Sequence, residues 1–106
     1  MILPDLVIHN QTQRFVLLAA LYIKTQAKTV MVGDLGQIAM EKGFTKQEFD
    51  KIVDYLVKEG LISELVDGTY TRITHLGIKA VEGVFKDVNA PTTYFPSYTR
   101  LLKNLL

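Results

Sequence analysis

Asp50 and Asp54 stand four residues apart in "EFDKIVDYL", the spacing that sets two carboxylates on one side of a helix. Such a pair can divide acid and base work only where burial or a neighbouring charge separates their proton affinities. Lys46 and Lys58 lie at i,i+4 from these acids, so internal ion pairs on a solvated helix face explain the carboxylates better. Other chemistry-bearing types are sparse. The chain has no cysteine, which excludes disulfides, thiolate metal sites and cysteine nucleophiles together. His9 and His75 are far apart and neither falls in a HExxH or similar spacing, so no metal is expected. "GDLG", Gly33 to Gly36, lacks the spacing and the lysine of a phosphate cradle. No Ser/His/Asp set stands out, and the expectation is a protein that is not an enzyme and needs no cofactor. Tyr22, Tyr55, Tyr70, Tyr94 and Tyr98 could stack on bases. Tyr22 lies within an apolar run and Tyr55 beside an apolar stripe, where packing is the simpler role.

The elements that would position these residues must fit a small chain. A length of 106 residues predicts one compact domain, and 48% hydrophobic with 22% charged residues argues against disorder. The net charge of +1 supplies no global drive toward nucleic acid or acidic membranes. The longest strongly apolar run, "FVLLAALYI" from Phe15 to Ile23, is too short to cross a bilayer. "MILPDLVIHN" has no basic start and carries Asp5 early, unlike a signal peptide, so a cytoplasmic protein is expected.

Asn10, with Gln13 three positions on, predicts the start of a first helix through a capping-box pattern. From Phe15 to Tyr22 that helix is apolar nearly all round, which predicts burial on two sides, the second from another subunit. Val30 to Val32 reads as a short extended piece. A second helix follows over about 33–42, stopped by Gly43. Thr45 and Glu48 open a third with another capping box; Phe49, Ile52, Val53, Leu56 and Val57 recur at helical spacing, and Gly60 ends it. "LISELVDGTYTRIT" then alternates around Asp67-Gly68, a strong two-residue hairpin signal. Thr74 caps a last helix over about 75–88. The expected fold is therefore mainly α with a small β-hairpin, in the order of a winged helix-turn-helix. Residues 1–9 read as an apolar N-terminal arm, 10–88 as the domain, and 89–106 as a C-terminal tail with a short helix.

"VKEGLISELVDGTYTRITHLGIKAVE" resembles the passage from third helix to wing of MarR/PadR-type winged-helix proteins. There a helix ends in L-x-x-x-G-L-I, here Leu56, Gly60, Leu61 and Ile62; a hairpin follows, then T-x-x-G, here Thr74 and Gly77. The tail "NAPTTYFPSYTRLL" resembles a Pro-Thr-x-Tyr-Phe-Pro segment that follows the winged helix in a group of bacterial proteins. The first resemblance implies a third helix docked in the major groove of double-stranded DNA, with the wing on the backbone or minor groove. The positions it marks are Thr45, Lys46, Gln47, Asp50, Lys51 and Asp54 on the helix, and Gly68, Thr69, Tyr70 and Arg72 in the wing.

The charges pull the other way. From Thr45 to Gly60 three lysines face four carboxylates, although non-specific DNA affinity comes almost wholly from neutralised phosphates. A basic stripe assembled from Arg14, Lys28, Lys46, Lys51 and Arg72 would favour DNA, and dominance of the helix acids would not. The apolar ends supply a further expectation. Ile2, Leu3, Leu6, Val7 and Ile8 come before the first helix, and Tyr98, Leu101, Leu102, Leu105 and Leu106 repeat at helical spacing after Pro96. Apolar area of that extent predicts a homodimer, with Phe15, Leu18, Tyr22, Tyr98, Leu101, Leu102 and Leu105 at its interface. Two functions result: a dimeric winged-helix DNA-binding transcriptional regulator, or a winged-helix interaction and dimerisation module without DNA binding. The end on "NLL", with no polar run-out, adds the expectation of a fragment of a longer protein.

Overall fold

The computed structural model describes residues 2–105. Five helices are found among them: α1 (Leu3–Thr25), α2 (Leu35–Glu41), α3 (Lys46–Lys58), α4 (His75–Val84) and α5 (Tyr98–Leu105). α1 is the axis of the molecule, with the other four helices packed around it. Within its apolar stretch Leu17, Leu18 and Leu21 are all at 0% exposure, while Val16, Ala19, Ala20 and Tyr22 stay half-buried. Thr12 and Thr25 are buried too, and their hydroxyls donate to the carbonyls of Ile8 and Leu21 one turn back.

α1 starts earlier than its Asn10 capping pattern implies. The helix begins at Leu3, with Pro4 in the first turn and Asp5 beside it. Proline is pre-set for a helix start and an acid there complements the exposed N–H groups. Asn10 therefore sits mid-helix, and the expected N-terminal arm, as far as it is described, is almost wholly the first turns of α1. α3 starts as expected: the Thr45 hydroxyl accepts from the Glu48 N–H and the Glu48 carboxylate accepts from the Thr45 N–H. Gly43 and Gly60, closing α2 and α3, both take the left-handed backbone (φ 82° and 73°) that glycine adopts most cheaply.

The expected fold class is overturned by the segment from Leu61 to Thr74. No β-hairpin wing forms: the described residues hold no strand or sheet, only isolated bridges, Val32 with Thr71, Ile62 with Ile73 and Val66 with Tyr70. The fold is all-helical, not a winged helix-turn-helix. The Asp67-Gly68 turn is present, both residues left-handed (φ 55° and 75°). Backbone bonds cross between the arms at Ser63 to Arg72, between Val66 and Tyr70, and at Thr74 to Leu61, but they do not run on into a strand ladder, and hydroxyls take part of the remaining backbone groups. The Arg72 N–H donates to the Ser63 hydroxyl, and the Thr71 hydroxyl donates to the Ser63 carbonyl. Backbone and side-chain bonds together hold the two arms, with Leu61, Ile62 and Ile73 buried.

The tail belongs to the same core. Phe95, 1% exposed, meets Phe15 edge-on at 5.2 Å between ring centres, and Leu101 of α5 is fully buried. A turn at Thr92 presents Phe95, the Thr92 hydroxyl accepting from the Phe95 N–H. No helix among the described residues is long and apolar enough to cross a membrane.

Candidate functional site

α3 projects one flank to solvent and binds the other to α1. On the α1 side, Glu48 accepts from the Gln13 side-chain amide as well as from Thr45. These donors, the Thr45 N–H foremost, hold its carboxyl below the ordinary glutamate range. Further along, the Arg14 guanidinium lies 3.7 Å over the Tyr55 ring. Burial is the main reason the Tyr55 hydroxyl is pushed above the usual tyrosine range. Thr45 and Arg14 are thus engaged within the chain.

On the open flank, Lys46 pairs with Asp50 at 3.1 Å and Lys58 with Asp54 at 3.0 Å, all four side chains well solvated. The structure brings Lys46, Asp50, Asp54 and Gly68 together along one groove of about 420 Å³ between α3 and the following loop. Gln47 and Lys51 are exposed but lie outside this groove. Thr69 and Tyr70 turn toward the segment before α2. The Thr69 hydroxyl donates to the Gly33 carbonyl at 2.8 Å, and a β-carbon at Gly33 would collide with the Tyr70 ring. Arg72 is exposed, its N–H taken by Ser63. The basic stripe does not assemble: Arg14 is drawn onto Tyr55 and Lys46 onto Asp50.

Sequence reasoning missed the floor of this groove. Phe49, Val53 and Val57, expected as core, are only half-buried, and Leu65 joins them from the loop with Glu64 at the edge. Their spacing of four, with acids at 50 and 54 alongside, was the available signal. It was read as an inward face because a helical stripe does not reveal which part of it a neighbour covers.

The residues expected at a dimer interface divide in two. Phe15, Leu18 and Leu101 are spent on the intrachain core and offer no surface. Tyr22 donates its hydroxyl to Glu82 at 2.6 Å, which raises its pKa above the usual tyrosine range, and the Tyr98 ring meets Phe85 at a 52° tilt with centres 4.8 Å apart. Leu102 and Leu105 remain exposed, and so do Leu3, Leu6 and Val7 at the start of α1. α5 lies beside this end, Asp5, Ile8 and His9 facing Arg100, Lys103 and Asn104 across a cleft of about 360 Å³. Among the described residues no three His, Asp or Glu side chains come together as a metal site. Compared with known proteins, the chain matches no family model, no curated protein and no solved structure.

Proposed function

We propose that this chain is a non-catalytic interaction module that pairs with a second copy of itself and does not read double-stranded DNA. The observation that carries the reading is the uncovered start of α1. Ile2, Leu3, Leu6 and Val7 are 68%, 71%, 41% and 46% exposed, and Asp5 is the one charged residue among them. A charge-poor apolar surface has the composition of a homodimer core more than of a transient polar contact. Two-fold pairing closes such a surface on itself. Leu102 and Leu105 of α5 add exposed apolar area. The case against DNA rests on α3, where Lys46 and Lys58 are matched to carboxylates, leaving little charge to neutralise phosphate.

Sedimentation velocity over a concentration series, run beside a titration of labelled duplex DNA, tests this. The expected result is a dimer at micromolar concentration that Leu6→Glu converts to a monomer of unchanged helical content, with no duplex binding at low salt. A monomer at every concentration overturns the self-pairing. Saturable duplex binding that weakens steeply with salt, at a slope of about −0.9 per phosphate contacted, overturns the whole reading in favour of a DNA regulator.

A further inference from the structure

The groove between α3 and the loop after Ile62 has a floor and a rim of opposite character. Phe49, Val53 and Val57 form one ridge along α3, and Leu65 faces them. All four pack inward on the core while keeping an open outer side. The rim carries three carboxylates, Asp50, Asp54 and Glu64, and two lysines answer them, Lys46 at Asp50 and Lys58 at Asp54, so the excess is one negative charge. Asp50 and Asp54 have lysine partners in solvent, and Glu64 makes no ion pair among the described residues. We infer that this groove docks a basic amphipathic helix, its apolar side on the Phe49–Val53–Val57 ridge and its lysines or arginines against the carboxylate rim.

The chemistry of the occupant follows from the surface. A ridge of side chains four apart packs into the groove between rows of another helix, which favours a helical partner over an extended one. From Phe49 to Val57 the ridge spans about two helical turns, roughly 12 Å. A second hollow of about 330 Å³, lined by Ala39, Met40 and Phe44, shares Lys46 and Phe49 with the first and carries the apolar floor past the start of α3. A longer partner helix thus finds a second seat. With Asp50 and Asp54 already paired, the excess carboxylate Glu64 favours a cationic side chain over phosphate, so the groove on the face that the resemblance assigns to DNA suits a basic protein segment instead.

The inference rests on reading the chain as an interaction module and gives that module a second surface. Its test uses the whole chain and two short designed helical peptides with the same leucine stripe, one flanked by lysines and one by glutamates. Fluorescence anisotropy is expected to show the lysine peptide binding about tenfold tighter than its twin, a preference that shrinks as salt rises. Glu64→Lys, an exposed change that leaves the fold intact by circular dichroism, is expected to remove most of that preference. Val53→Asn is expected to weaken both peptides. Equal binding of the twins, no binding, or a preference unmoved by Glu64→Lys overturns the inference. Sedimentation of the same samples reports self-pairing separately, so the two readings fail independently. Duplex DNA displacing the lysine peptide overturns both.

Discussion

Leu21 and Leu6 belong to one helix, yet Leu21 is sealed at 0% exposure while Leu6 keeps 41% of its surface in water. The backbone treats both alike, since once a helix is nucleated each added turn is cheap. The difference lies in cover: Leu21 is enclosed by other elements, whereas α5 flanks the first turns of α1 across a cleft and leaves Leu6 open. Exposure of Leu3, Leu6 and Val7 therefore does not signal looseness. They stand on the rigid extension of a buried helix, pre-organised for contact, and a surface ordered beforehand loses less freedom on binding.

The largest expected effect separates these two halves by stability. Leu21→Ala is expected to cost about 2–5 kcal/mol in urea denaturation, through lost burial and the cavity left behind. Leu6→Ala in the monomer is expected to stay within about 0.5 kcal/mol. Similar losses at the two sites would mean that the start of α1 is covered after all.

A smaller effect sharpens the contrast between helix starts. α3 has both bonds of a capping box, whereas α1 starts at Ile2 with no side-chain cap. Thr45→Ala is expected to lower stability by about 1 kcal/mol. Asn10→Ala, now a mid-helix exchange toward a better helix former, is expected to change it by at most a few tenths of a kcal/mol upward. A loss at Asn10 as large as that at Thr45 would put the start of α1 at Asn10.

The smallest effect concerns acid. Glu48 meets Gln13 near the border between the two halves of α1, and its carboxyl titrates lower in the folded chain than in the unfolded one. A group shifted in that direction stabilises above its unfolded pKa, and the contribution is lost as pH falls through the folded value. Calorimetric melting temperatures are expected to fall on acidification below roughly pH 4.3, the ordinary glutamate value, and to fall less steeply in Glu48→Gln. Identical acid limbs in the two chains would show that this contact does not depend on charge.

Capping residues and glycines made most helix limits legible. Thr45 with Glu48, Thr74, Gly43 and Gly60 all act locally, through bonds and dihedrals within a few residues, and all four stand where their types imply. The T-x-x-G spacing has a further cause, since a β-carbon at Gly77 would strike the Leu61 carbonyl. Less legible was anything decided by competition. Asn10 with Gln13 makes a sound capping pattern, but Pro4 and Asp5 offer an earlier start, and helix already formed runs through the later signal. The hairpin alternation was correct about burial and wrong about strands, since the bonds between the arms do not run on into a ladder and the Ser63 and Thr71 hydroxyls take part of the remaining backbone groups. The candidate groove depends on which side of α3 is covered, a tertiary fact that the acids at 50 and 54 beside the ridge only hint at. For Val53 and Val57, spacing alone could not tell floor from core.

The edge-on contact of Phe95 with Phe15 has a consequence for how the chain is made. The central helix emerges before the helices that pack on it, and Phe95 follows Phe15 by eighty positions. At roughly 5–20 residues per second of synthesis, Phe15 to Leu21 wait several seconds for their last neighbours. Throughout that interval the nascent chain is a substrate for any holding factor that binds exposed aliphatic helix, and shortening it before Phe95 would make the wait permanent.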